Sequence, residues 1–133
     1  MRVMIDTNIF ISAVLFPKGS AAAALLKALM PPFIPMTSDY VIDELHRKFQ
    51  EKFPHKTIGL EAFLYSSLSV IRVVNTPNTS CEVENKIRDP KDRPILMAAL
   101  ASSADLFLTG DKDFLEAAVN DPRIISVAQF LAL

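Results

Sequence analysis

Cysteine and histidine are nearly absent from this chain: Cys81, His46 and His55 are the only such residues among 133. A lone cysteine excludes an internal disulfide, and no CxxC or Cys/His spacing of the zinc-binding kind is present. His46 is expected at the edge of the core and His55 on the surface, neither as a metal ligand. An excess of one charge is also missing, since 14 Lys and Arg stand against 15 Asp and Glu for a net charge of -1. Strong binding of a polyanion through bulk electrostatics is therefore not expected without added positive charge. No apolar run approaches the roughly 20 residues of a membrane-spanning helix. Residues 1–16 superficially resemble a signal sequence, but Asp6 and Asn8 break the run and no small-residue cleavage site follows. These absences predict a soluble, cytoplasmic protein with no membrane partner, in which any metal would be held by oxygen. With half its residues hydrophobic, the chain is expected to fold as one domain over residues 1–133.

Short apolar runs alternate with helical stretches. Val3, Met4 and Ile5 read as a buried strand that stops at Asp6. Residues 8–15 start a helix that Pro17, Lys18 and Gly19 break. Ser20 is a candidate N-cap for a second helix over residues 21–30, whose sole charge is Lys27. So apolar a helix needs cover from the sheet or from another chain. Residues 33–36 form a candidate strand weakened by Pro35, and Thr37, Ser38 and Asp39 offer caps for a helix running to about Phe53. On that helix Val41, Ile42, Leu45 and Phe49 share a face, with Glu44 nearer its flank than Asp43. Residues 58–68 read as a helix, 70–74 as a β-branched strand and 75–80 as a turn. Pro94 fits the first turn of a helix carrying the apolar segment 95–100, which places Asp92 at its amino end. Residues 106–109 form a fourth strand, Gly110 its turn, and Asp111 opens the next helix; residues 124–127 form a fifth strand. This alternation predicts an α/β fold, a three-layer α/β/α sandwich around a mostly parallel sheet of four to five strands.

In such sheets the functional cleft lies beyond the carboxyl ends of the strands. Asp6 and Asp111 directly follow strands, Asp92 begins a helix shortly before one, and Glu44 is the inward candidate of its helix. Each has a bland explanation: Asp at a helix start caps amides and favours the dipole, and a mixed-charge segment is ordinarily a solvated surface. Crowded carboxylates, however, raise one another's pKa. A bound Mg²⁺ or Mn²⁺ offsets that repulsion, and both prefer oxygen ligands. Such a cation polarises a phosphodiester and lowers the pKa of a water that attacks phosphorus. Lys91, Arg93 and Lys112, interleaved with these acids, are candidates for phosphate contacts.

In chain order, Asp6-Thr7-Asn8 behind a strand, Ser38 followed by Glu44-Leu45, Asp89-Pro90-Lys91-Asp92 with Ala98-Ala99, and Thr109-Gly110-Asp111-Lys112-Asp113-Phe114 make a set. In this set the chain resembles the PIN domain family of metal-dependent ribonucleases, particularly its branch of toxins from prokaryotic toxin–antitoxin pairs. The resemblance covers nearly the whole chain. It implies an endoribonuclease whose acidic centre is Asp6, Glu44, Asp92 and Asp111, with Asp113 an accessory metal ligand. Asn8, Ser38 and Thr109 would orient those carboxylates by hydrogen bonds. Asp89 remains an alternative to Asp92. The resemblance further implies an RNA substrate, a homodimer and a cognate antitoxin that covers the active-site groove.

Three rival readings are weighed against it. A signalling receiver domain has similar length and an Mg²⁺-binding acidic pocket, but needs an aspartate after its central strand and a lysine after a late one. Asn75 and Thr76 follow the third strand, and Ala128 and Gln129 follow Val127. A catalytically silent module of the same fold would be expected to have gaps in the acidic set. A flap-type DNA nuclease would need insertions for which this chain has no room.

Overall fold

Val3, Met4 and Ile5 have no solvent exposure and build β1 (Arg2–Ile5), which occupies the middle of the sheet. The computed structural model describes residues 1–77 and 92–133. Cys81, Asp89, Lys91 and part of the turn expected over residues 75–80 lie outside that description. Beside β1 run β2 (Ile34–Ser38), β3 (Arg72–Val74), β4 (Leu106–Leu108) and β5 (Arg123–Ile125), in the order β3-β2-β1-β4-β5, with every pair parallel. Strands buried on both faces read as continuous apolar runs, which is why the sequence outlines them.

Pro35 sits in this sheet without loss. The Ile34 N–H bonds Met1 O on the β1 side, so the next residue's nitrogen points toward β3. The β3 ladder begins only at Met36 opposite Arg72, so proline's missing donor faces no partner there.

α1 (Thr7–Leu15) and α2 (Ser20–Ala28) connect β1 to β2, and α3 (Asp39–Lys52), a 3₁₀ turn over Pro54–Lys56 and α4 (Thr57–Ser67) connect β2 to β3. α5 (Arg93–Ala101) precedes β4, α6 (Lys112–Leu115) joins β4 to β5, and α7 (Val127–Leu131) follows. The strand order steps outward from β1 in both directions, and right-handed crossovers then place α1 to α4 on one face and α5 and α6 on the other. Phe10 of α1 meets Phe63 of α4 edge-on, and Phe107 of β4 meets Phe114 of α6 at 4.7 Å between ring centroids. α2 buries Ala22, Ala24, Leu25 and Ala28 and packs against α1 and α7, leaving Leu26 and Met30 exposed. Lys27 donates to the carbonyls of Phe130 (2.8 Å), Leu131 (3.3 Å) and Leu133 (2.8 Å) and lies over the Phe130 ring. Among the described residues, no single helix is long and apolar enough to cross a membrane.

Several boundaries depart from the sequence reading, among them the ends of α2 at Ala28 and of β4 at Leu108. Ser20 is the first residue of α2 rather than its cap, a place taken by Gly19. The strand expected over residues 33–36 runs on to Ser38, because Thr37 and Ser38 face β3 in the ladder. In the run over residues 70–74, Val70 and Ile71 both donate to Ser67 O at 3.0 Å and close α4, so pairing starts at Arg72. The strand over residues 124–127 stops at Ile125. There the Ser126 hydroxyl accepts the Gln129 N–H while the Gln129 side chain accepts the Ser126 N–H, a capping box that turns Val127 into the start of α7.

Candidate metal centre

The ladder register brings the candidate residues to one edge. Met4 pairs with Met36 and Ile5 with Leu108, so the registers extended to Asp6, by two residues and one respectively, set it level with Ser38 on one side and Thr109 on the other. Asp6 is 4% exposed. Its Oδ1 accepts the Thr7 N–H at 2.7 Å and caps α1, and its Oδ2 accepts the Thr109 hydroxyl at 2.6 Å. Burial pushes the Asp6 carboxyl up to about 6, helped by the neighbouring charges of Glu44 and Asp111 and opposed by its bonds to Thr109 and Thr7. The charges of Glu44 and Asp111 therefore both reach Asp6, although these residues stand on α3 and at the end of β4.

Thr109 links two acids. Its hydroxyl donates to Asp6 and accepts the Asp111 N–H at 3.0 Å, while its own N–H bonds Ile125 O. Asp111 caps the short helix α6 through the Asp113 N–H at 2.9 Å. Asp92, Asp111 and Asp113 each offer a carboxylate oxygen, all within 4.8 Å of one another. Asp92 stands at the amino end of α5 but makes no side-chain capping bond, so capping does not account for its presence. Capping occupies one oxygen of Asp111 and leaves the second as a ligand candidate, whereas both oxygens of Asp6 already accept one bond each and could ligate only through a further lone pair. The donor set is all oxygen and acidic, as a hard divalent cation requires.

Glu44 is 5% exposed, whereas Asp43 is exposed. The inward stripe of α3, Val41, Leu45 and Phe49, is fully buried, and Glu44 enters along its flank. Two basic residues that sequence reading passed over accompany it: Arg47 Nη2 lies 3.6 Å from Oε2 and Lys48 Nζ 3.9 Å from Oε1. Their spacing of three and four residues from Glu44 was the available signal. Tyr40, one turn before Glu44, was also missed. Desolvation first, then the charge of Glu44, raises its pKa, with a further contribution from Asp92. Tyr40 is therefore within electrostatic reach of carboxylates on both α3 and α5.

The three residues expected to orient the acids differ in what they touch. Thr109 bonds Asp6 directly. The Ser38 hydroxyl accepts the Val41 N–H at 3.2 Å, fixing where the Glu44 helix begins, and Asn8 Oδ1 accepts the Gly110 N–H at 3.2 Å, holding the β4–α6 turn. Lys112 is exposed on α6, and Arg93 is the first residue of α5. His46 takes no part: Nδ1 lies 3.0 Å from Ile42 O and Nε2 2.8 Å from Glu61. His55 is exposed.

A parallel sheet in this order with acids clustered at its carboxyl edge defines the class, and comparison with known proteins gives it a name. The PIN domain family model matches residues 2–113, and the chain belongs to that family. It is 30% identical over 118 residues to the protein MJ1680 of Methanocaldococcus jannaschii, spanning 86% of this chain and 74% of that one. Among solved structures it is similar to VapBC2 from Rickettsia felis bound to a DNA fragment from their promoter, with a TM-score of 0.70 and 18% identity over 95% of this chain and 98% of that one. It is also similar to VapC20 of Mycobacterium tuberculosis, a sarcin-ricin loop cleaving toxin, with a TM-score of 0.58 and 17% identity over 87% of this chain and 95% of that one.

Proposed function

We propose that this protein is a metal-dependent endoribonuclease that hydrolyses RNA phosphodiester bonds and is the toxin of a toxin–antitoxin pair. The observation that carries the reading is the meeting of Asp6, Glu44, Asp92, Asp111 and Asp113 at one sheet edge, without a histidine or cysteine among them. Asp92, Asp111 and Asp113 are the proposed primary cradle for Mg²⁺ or Mn²⁺, with Asp6 and Glu44 completing the acidic centre. When bound, such a cation polarises a phosphodiester and makes water a better nucleophile. The chain's own part is to hold the carboxylates in place. Thr109 fixes Asp6 and the Asp111 backbone together, Ser38 sets the start of the Glu44 helix, and Asn8 holds the turn that carries Asp111. Arg93 and Lys112, with Lys91, are proposed phosphate contacts.

The cleaving toxin from Mycobacterium tuberculosis supports RNA as substrate. The VapBC complexes from Rickettsia felis and Salmonella typhimurium support an antitoxin partner. A homodimer and a cytoplasmic location belong to the same proposal. The test is incubation of purified protein with structured and unstructured RNAs, with and without Mn²⁺ or Mg²⁺, beside Asp6→Asn and Asp92→Asn. Metal-dependent cleavage lost in both variants is expected. Cleavage undiminished in both would refute the assignment, and no cleavage by any of them would favour a silent module.

A further inference from the structure

The acidic edge carries a guanidinium that the proposed chemistry leaves unused. Arg47 approaches Glu44 only to 3.6 Å, beyond ordinary hydrogen-bond length, and its side chain is 54% exposed. An ion pair this open, three residues apart on one helix, adds little to stability, so holding the fold together is a weak reason for its position. Arg47 also stands near Tyr40, whose pKa its charge lowers. Tyr40 in turn feels the charges of Glu44 and Asp92, so the Tyr40–Arg47 pair spans the rim where α3 meets the amino end of α5. Glu44 has a second cation, Lys48. A divalent ion in the centre would make Arg47 redundant as a counter-charge while leaving its solvent-facing donors available to a ligand. A planar guanidinium fork of that kind matches phosphate oxygens better than an ammonium does.

We propose that Arg47 grips a phosphate of the RNA strand on the α3 side of the acidic centre, where it stands beside Glu44 with its guanidinium open to solvent. This rests on the ribonuclease reading and adds a substrate contact to it. Arg47 thereby stands apart from Arg93 and Lys112, which lie on α5 and α6.

Three measurements on wild type, Arg47→Ala and Arg47→Lys test it. These are RNA affinity by fluorescence anisotropy in Ca²⁺, Mn²⁺ affinity by electron paramagnetic resonance, and cleavage kinetics in Mn²⁺. Arg47→Ala should weaken RNA binding and raise KM roughly tenfold, and lower the salt slope of log affinity by about 0.7. It should leave Mn²⁺ affinity unchanged or tighter. Arg47→Lys should recover the salt slope but only part of the affinity. Unchanged RNA affinity and salt slope in Arg47→Ala would overturn the proposal. So would a loss of RNA binding that merely follows a loss of Mn²⁺ binding, since Arg47 would then only position Glu44. If wild type binds RNA through Arg47 but cuts none, the nuclease reading fails while this contact stands.

Discussion

The Thr109 hydroxyl donates to Asp6 across the β1–β4 pairing at 2.6 Å and accepts the Asp111 N–H at 3.0 Å. One side chain with no solvent exposure thus ties the Asp6 carboxylate to the backbone of Asp111. Thr109→Val keeps the shape and removes both bonds, leaving a buried carboxylate and an amide short of partners. Stability should fall by about 1–3 kcal/mol in denaturant titration, and Mn²⁺ affinity by roughly 10- to 100-fold. Thr109→Ser should restore most of both.

The raised Asp6 carboxyl makes the metal-free protein sensitive to pH. The folded protein keeps this proton up to about pH 6, whereas an unperturbed carboxyl releases it near 3.8. Its contribution to stability is therefore full below about pH 4 and is lost as pH rises through about 6. The shift of about two units corresponds to about 3 kcal/mol at most. Unfolding of wild type without metal should lose stability over that window relative to Asp6→Asn; parallel pH profiles would count against it. Mn²⁺, which competes with the same proton, should bind more weakly below about pH 6.

Asp92 and Asp89 can be told apart by metal titration. Asp92 shares its ligand space with Asp111 and Asp113. Asn at any of these three should weaken Mn²⁺ binding, while Asp89→Asn should leave it near the wild-type value. The reverse ranking would transfer the role to Asp89.

Phe114 ties the metal edge to the core. α6 has only four residues and cannot hold itself as a helix; what fixes it is the Phe114 ring, fully buried against Phe107. Phe114→Ala should cost about 3–5 kcal/mol and also weaken Mn²⁺ binding, because Asp111 and Asp113 stand just before it in the same short segment. Denaturant unfolding and metal titration on the same variant read both effects.

Lys27 is a counter-example, tied to structure and remote from the acids. Lys27→Met removes three bonds to carbonyls at the end of α7. A loss of about 1–2 kcal/mol is expected, seen as faster amide exchange in α7, with Mn²⁺ affinity unchanged.

The strands and their terminal acids were legible because the same physics writes both. A strand buried on two faces must be apolar throughout, so an abrupt Asp6 marks the end of β1, while Asp111 follows the end of β4 by three residues. The separation of Glu44 from Asp43 followed from helix geometry alone. What stayed hidden depends on partners far away in sequence: Tyr40 and Arg47 acquire meaning only where α5 brings Asp92 near. Thr109 was singled out by the family motif alone, since nothing local tells it apart from any other strand-end threonine. α7 was different, since Ser126 and Gln129 already spell a capping box. The β-branched run before them suggested a strand and masked it.

The pairing of β1 with β4 joins residues 2–5 to residues 106–108, so the first acid of the proposed centre stays incomplete until nearly the whole chain has been made. A nascent chain that stops before Thr109 has Asp6 but neither the hydroxyl that orients it nor Asp111.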